Sequence, residues 1–373
     1  MMIHHGTQTW ARRKRFLNVA GRALTALLLL LIVQKVGAEQ GGPFASLMVD
    51  SDLATYNPQA QVSGSLKVQG SDTMSPLMTR LSAEFRRRQP QVTIEVKGGG
   101  STNAVSELLQ PPVPGRIVLK EERSNQFLLV ASSRELLDSE IKQFASQHGY
   151  EPLAIPVAMD AVALYVHKDN PLPGLTLDQV DAIFSTTHNR GYKTEIRQWG
   201  QLGLANGWEK AQIQLYGRDR KSGTRAFFQE HVLAGGEFTP NLQEQPGAAS
   251  VILALSRDPL GIGYSGLGLL ASSVRVVPLA ENEGMPFISP SAATVVDQTY
   301  PLRRILYLYL DKSPESPLPL AAQEFLTFIT SREGQEAVVK AGFFPLPMNQ
   351  VNQVAKSLVR LGVAPATGTS VGQ

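Results

Sequence analysis

Cysteine is missing from all 373 residues, which excludes disulfides, thiolate zinc sites, a cysteine nucleophile and a lipid-anchoring cysteine. Histidine is scarce: His4, His5, His148, His167, His188 and His231 make up the whole set. Beyond the pair near the N-terminus they show no metal-ligand spacing, so neither a metal nor another cofactor is expected. Long hydrophobic runs are lacking as well. The apolar stretch from Ala23 to Val33 has 11 residues, against the roughly 20 that a membrane-spanning helix needs. An excess of one charge sign is also absent. Lys and Arg total 35, Asp and Glu 32, and six of the basic residues (Arg12, Arg13, Lys14, Arg15, Arg22, Lys35) lie within residues 1–38, which hold no acidic one. The remainder carries 29 basic against 32 acidic side chains, formally −3. The basic balance of the whole chain therefore gives no argument for nucleic-acid binding.

What is present begins with a leader. Arg12 to Arg15 form a basic n-region, Ala23 to Val33 an apolar h-region, and Val36-Gly37-Ala38 a small-residue cleavage site. Residues 1–38 read as a signal peptide cut after Ala38, so the mature protein is expected to be exported. An uncleaved N-terminal anchor is the competing reading. Beyond the leader, an apolar fraction of 43% suffices for a packed core.

Residues 39–63 mix Gly, Pro, Ser and Asn without a sustained period and are expected to be loose. From Gly64 a regular order sets in. Ser65 to Gln69 alternates like a strand, and Leu77, Leu81 and Phe85 follow at helical spacing, closed by Arg86-Arg87-Arg88. Val92 to Val96 is a second strand, broken by Gly98-Gly99-Gly100 before a short helix over Asn103 to Leu109. Gln212 to Tyr216 is a third, ending in a polar turn before a helix through Phe227, Phe228 and His231. Ile117 to Val130 is ambiguous and could form a hairpin. Ile155 to His167 and Tyr300 to Leu310 are long apolar strands. Ala321 to Ala341 is one or two helices ending at Gly342, and residues 350–373 form a tail with one short helix. Strand, polar turn and helix thus recur three times, the signature of an α/β fold with mainly parallel strands. No long linker divides the chain. Two lobes are expected, 64–158 with 301–349 and 159–300, joined by crossing strands at Val157–Tyr165 and Tyr300–Leu310.

The three turns carry the chemistry. Each sets hydroxyl residues and glycines where a strand hands over to a helix, and first-turn amides with the helix dipole make such ends anion sites. Ser71, Asp72 and Thr73 form the first turn, Ser101 and Thr102 the second, and Arg218, Ser222, Gly223 and Thr224 the third. Ser and Thr also cap helices without any ligand, so one such turn alone says little. Three together, one carrying Arg-x-x-x-Ser-Gly-Thr, imply a small tetrahedral oxyanion held by neutral donors and one guanidinium.

Gly70-Ser71-Asp72-Thr73-Met74-x-Pro76, Gly98-Gly99-Gly100-Ser101-Thr102, Ser132-Ser133-Arg134-Glu135-Leu136 and Gly217-Arg218-Asp219-x-x-Ser222-Gly223-Thr224 resemble the periplasmic phosphate-binding proteins of ABC transporters. The resemblance continues in order through Pro156 to Asp160, Gly261 to Tyr264, Ser331 to Gln335 and Phe344 to Pro347, and so covers roughly Gly64 to Pro347. It implies a type II periplasmic-binding-protein fold, α/β in class, with a ligand cleft between two lobes. It further implies capture of inorganic phosphate, delivery to ABC permease transmembrane subunits, and a monomer without catalytic residues. Carried over residue by residue, one lobe supplies Asp72, Thr73 and Ser101, and the other Arg218, Ser222, Gly223 and Thr224. One departure matters. The acidic residue often found four positions before the equivalent of Ser132 is here Leu128. A carboxylate there accepts the proton of hydrogen phosphate, which sulfate lacks at neutral pH. Asp72 is expected to take over that role, with Asp219 the weaker candidate.

Two other readings compete. A secreted phosphatase on the same scaffold would need a metal cluster or a Ser-His-Asp set, and neither is evident. An adhesion or sensing protein would bind anions without transport. Gly261-Ile262-Gly263-Tyr264-Ser265-Gly266 fits a dinucleotide-binding pattern but lacks a clear preceding strand, and is read as a tight turn or strand edge. Ser132 to Arg134 could touch a ligand or cap a helix with Glu135 in its first turn. Phe227 and Phe228 are read as core or cleft wall.

Overall fold

Alternation from Gly64 onward produces strand β1 (Gly64–Gly70), which buries Leu66 and Val68 on one face. The computed structural model describes residues 47–58, 60–111, 126–268 and 271–360. The expected leader, the ambiguous stretch before Gln126 and the end of the tail lie outside the described residues. Helix α1 (Ser75–Arg86) follows β1, with Pro76 in its first turn where a missing N–H costs nothing. It buries Leu77, Met78, Leu81 and Phe85. Strand β2 (Val92–Lys97) and helix α2 (Ser101–Leu108) repeat the unit, and β3 (Gln126–Ser132) leads to α3 (Asp138–His148).

β4 (Leu153–His167) is one unbroken strand of 15 residues. It is followed by α4 (Leu177–Phe184), β5 (Gln214–Arg218), α5 (Gly223–His231), β6 (Gln243–Gln245), α6 (Ala248–Leu255), β7 (Gly261–Gly266) and β8 (Val274–Val277). The chain returns along β9 (Arg303–Leu310) and ends in α7 (Leu320–Ile329), α8 (Arg332–Lys340) and α9 (Met348–Arg360). Among the described residues nine strands share one sheet, ordered β2-β1-β3-β9-β4-β7-β5-β6, with β8 also on β4. β1 is parallel to β2 and β3, and β5 to β6 and β7. β4 and β9 run antiparallel to their neighbours and to each other.

These two strands make the crossing. β4 pairs β9 up to Ala161 and β7 from Val162 on. The β4–β9 register slips between Leu306 and Tyr307, opposite Pro156 and Ala158. Pro156 has no N–H to give the ladder, and a bulge there re-aims the strand. Such a strand, buried on both faces, needs apolar residues throughout. From Val157 to Val166 all are buried, Asp160 included.

The first lobe packs around Phe85, whose ring lies 5.2 Å from Phe325 and 5.6 Å from Phe328. Truncating such a side chain costs about 3–5 kcal/mol. Buried Gln335 knits this lobe to the crossing, donating to Val157 O at 3.2 Å and Ile329 O at 2.8 Å and accepting from Leu346 N at 2.8 Å. The segment expected to be loose is irregular but anchored over its described part. Leu53, Tyr56 and Val62 are buried, Tyr56 N donates to Glu333 at 2.8 Å, and Arg332 N to Ala54 O at 2.9 Å. Isolated apolar residues held it down, a pattern with no period to read.

In the second lobe, Gly261 to Gly266 is no turn or edge: β7 is wholly buried between β4 and β5. Its glycines allow close packing. A Cβ on Gly263 would lie 2.6 Å from Tyr216 O, and one on Gly217 would lie 2.6 Å from the Tyr264 ring. That ring stacks on Phe228 at 3.9 Å. Phe228 is therefore core and Phe227 cleft wall. Ser132 to Arg134 cap no helix, since α3 begins at Asp138 and Glu135 precedes it. The helical region before Gly342 resolves into α7 and α8, separated at Ser331, whose hydroxyl accepts from Gly334 N at 3.2 Å.

Candidate functional site

The three polar turns converge at the crossing. Gly70 ends β1 with a φ of 139°, and a Cβ there would sit 2.2 Å from Ala131 O. Ser71 N donates to that carbonyl at 2.9 Å. The Ser71 hydroxyl turns back to accept from Met74 N at 3.3 Å, so it shapes the turn that delivers Thr73. In the second turn Gly100 has a φ of 88°, which only glycine adopts without strain. Asp72 braces this loop by accepting from Gly99 N at 3.0 Å. In the third, the Ser222 hydroxyl caps α5, accepting from Thr224 N at 3.1 Å and Arg225 N at 3.4 Å. Arg225 steadies the same turn by donating to Arg218 O at 3.2 Å and pairing with Glu244 at 3.2 Å.

Two sets of contacts join the turns across the cleft. Thr102 N donates to Lys221 O at 3.1 Å, and a Cβ on Gly100 would lie 2.2 Å from that same oxygen. A Cβ on Gly223 would lie 2.4 Å from the Ser101 hydroxyl. The second contact is polar. Thr73 and Thr224 hydroxyls, 151 residues apart in sequence, stand 3.2 Å from each other. Arg218 Nη1 donates to Thr73 Oγ1 at 3.4 Å, and Arg218 Nη2 lies 3.8 Å from Asp72 Oδ2. Burial lowers the pKa of the Arg218 guanidinium, opposed by the Asp72 charge and aided by Arg304.

Seven of the eight expected residues, namely Ser71, Thr73, Ser101, Arg218, Ser222, Gly223 and Thr224, are buried, while the Asp72 side chain is 32% exposed. Thr73, Ser101, Arg218, Gly223 and Thr224 meet partners across the cleft. The side-chain oxygens of Ser71 and Ser222 serve their own turns. Asp219 Oδ1 is buried with no hydrogen-bond partner.

Three further residues stand here. Ser133, quoted among the motifs but not placed in the site, lies 3.3 Å from Ser101 Oγ and gives it a backbone N–H at 3.1 Å. Asp160 and Arg304 form an ion pair, 1% and 2% exposed, in which Nε and Nη2 reach Asp160 Oδ2 at 3.0 Å and 2.6 Å. Arg304 Nη1 donates to Thr224 Oγ1 at 3.0 Å. The expected single guanidinium is thus one of two. Asp160 offered a signal, as the lone charge in an apolar strand, whereas the inward turn of Arg304 with Leu306 and Leu308 shows only in the burial of β9. Beside Arg304 a cleft of about 910 Å³ opens between α3 and α5, walled by Arg134, Glu140, Phe227 and His231. Among the described residues no group of three or more His, Asp or Glu side chains could hold a metal ion.

Two α/β lobes on a double crossing, with donors from both around one buried point, define a solute-binding protein of the type II periplasmic-binding class. Comparison with known proteins agrees. A family model described as a PBP superfamily domain matches residues 55–333. The phosphate-binding protein PstS of Pseudomonas aeruginosa is 43% identical over 324 residues, covering 87% of this chain and 96% of that protein. PstS of Bacillus subtilis is 25% identical over 335 residues, covering 89% and 97%. Among solved structures, an ABC-type phosphate transport receptor from Vibrio cholerae aligns over 76% of this chain and all of its own, with a TM-score of 0.55 at 21% identity. The chain belongs to the PBP superfamily and, within it, to the PstS-type phosphate-binding proteins.

Proposed function

We propose that this protein captures inorganic phosphate between its lobes and delivers it to the transmembrane subunits of an ABC importer. In this reading it acts as a binding protein and not as an enzyme, in the periplasm after loss of residues 1–38. The lobes are taken as 64–158 with 301–349 and as 159–300. One observation carries the proposal: two hydroxyls from distant turns, each with a guanidinium, face each other at 3.2 Å in the cleft. Relatives named phosphate-binding protein PstS support the ligand.

The ligand set we assign is Thr73, Ser101, Arg218, Gly223 and Thr224, with Ser71 and Ser222 holding the turns and Asp72 at the rim. Arg218 faces Asp72, and Arg304 faces Asp160. Each guanidinium thus has its own carboxylate, and the site is close to neutral before a ligand enters. The anion is then held mainly by directed dipoles: hydroxyls and the N-terminal ends of α2 and α5. Opening separates the two donor sets, so the anion favours the closed state through differential contacts. Asp72 is the proposed acceptor of the phosphate proton.

Calorimetry of the purified protein with phosphate and sulfate tests this. Saturable phosphate binding is expected, weakened at least about 100-fold in Arg218→Ala, since a charge-assisted fork and its buried partner are lost together. Unaltered affinity in that variant would refute the assignment.

A further inference from the structure

We propose that Arg304 is a positioning residue of the anion site: locked by Asp160, it turns the Thr224 hydroxyl so that its proton faces the bound oxyanion. This rests on the phosphate reading above. A guanidinium has five N–H donors and no acceptor. The Thr224 oxygen, 3.0 Å from Arg304 Nη1, must therefore accept, which leaves its own proton for another direction. Thr73 stands in the same relation to Arg218 Nη1, at the longer distance of 3.4 Å. The two hydroxyls then face each other at 3.2 Å with a proton each. One proton is enough to join them, so the other is surplus. An oxygen bearing only lone pairs, placed between the two, takes both.

Arg304 can impose this because its own position is set by the frame. It and Asp160 are direct partners in the β9–β4 register, on the crossing strands and not on a lobe surface. Nε and Nη2 are both spent on Asp160 Oδ2. The Phe227 ring covers the guanidinium, its centroid 5.6 Å away. The remaining terminal nitrogen, Nη1, ends on Thr224. The hydroxyl is thereby oriented before any ligand arrives, and preorganised donors bind more tightly than donors that must reorient. A hydroxyl fixed as donor serves unprotonated ligand oxygens, which phosphate and sulfate share. Arg304 therefore governs affinity for both anions and leaves their ratio unchanged.

A double-mutant cycle read by phosphate and sulfate calorimetry tests the idea. Arg304→Lys keeps the charge that buried Asp160 requires but loses the planar fork. It is expected to weaken phosphate about 10-fold alone and less than about 2-fold on a Thr224→Ala background, because contacting residues couple. Thr224→Ser, which keeps the hydroxyl, should retain the full dependence on Arg304, and the phosphate-to-sulfate ratio should not move. Equal weakening with and without the Thr224 hydroxyl would overturn the proposal, since Arg304 would then act on the anion or the fold directly. If circular dichroism shows that Arg304→Lys fails to fold, the paired exchange Arg304→Gln with Asp160→Asn enters the same cycle and is judged by the same coupling. Absence of phosphate binding in the unsubstituted protein, with sulfate or arsenate still bound, refutes the phosphate reading alone, and the cycle is then read with that anion. Binding of none of the three refutes both.

Discussion

Around Gly100 and Gly223 the lobes approach over bare glycine backbone, which faces Lys221 O and the Ser101 side chain, whereas around Thr73 and Thr224 they meet through side chains alone. In the first zone there is no room for even a methyl group: Lys221 O and Ser101 Oγ occupy the space a Cβ would need. In the second the partners are hydroxyls and guanidiniums, which water or an anion can replace one for one. The glycine zone leaves no space for a side chain between the lobes. The side-chain zone sets what can be enclosed.

The largest expected effect breaks the glycine zone. Gly100→Ala combines a 2.2 Å clash against Lys221 O with a φ of 88°. Phosphate affinity should fall about 100-fold, the equivalent of about 3 kcal/mol of strain and lost closure. Small-angle scattering with saturating phosphate should show no compaction, while each lobe keeps its fold. Full affinity in this variant would mean that the glycine contact does not limit closure.

A smaller effect sharpens the side-chain zone. Asp72→Asn should leave phosphate binding measurable but shrink its preference over sulfate by about 10-fold, as the acceptor for the phosphate proton is lost. Competition titration reads the ratio directly. If the ratio holds, Asp219, with its buried and unpartnered Oδ1, becomes the acceptor to test.

The smallest effect lies at the cleft wall, where Arg134 grips Glu140 with two bonds of 2.7 Å. Burial pushes the Glu140 carboxyl up, but the Arg134 fork, the Leu137 N–H and the Arg134 charge outweigh it and hold the group below its ordinary value. A carboxyl depressed in this way stabilises the fold above its unfolded pKa and stops doing so as pH falls through the folded one. Glu140→Gln should lower the melting temperature by about 1–3 °C at pH 7. That difference should vanish as the medium is acidified below the carboxylate range. A gap that widens with acid would reverse the sign and remove the pair as its cause.

How much of this was legible follows from how local each feature is. β1 with α1, and β2 with α2, could be read because alternation and helical spacing sit in consecutive residues. The anchoring of Tyr56 could not, since its partners Glu324 and Glu333 lie in α7 and α8. Gly261 to Gly266 read as a tight turn or strand edge because it follows Arg257-Asp258-Pro259 and not a clear strand. Only the neighbouring Tyr216 and Leu255 reveal that the side chains missing at Gly261 and Gly263 make room. Ser71 and Thr73 were equal candidates by residue type. One caps its own turn and the other faces across the cleft, a distinction set by backbone direction.

The sequence by itself determined the class of site: three strand-to-helix turns rich in hydroxyls and glycine, one with an arginine, suited to a small oxyanion. It could do so because a helix end and its capping residues are neighbours in the chain. Only the tertiary structure decided which hydroxyls meet, and that Asp160 and Arg304, 144 residues apart, stand behind them. Strand register and lobe closure bring such groups together, and neither is written in any local stretch of residues.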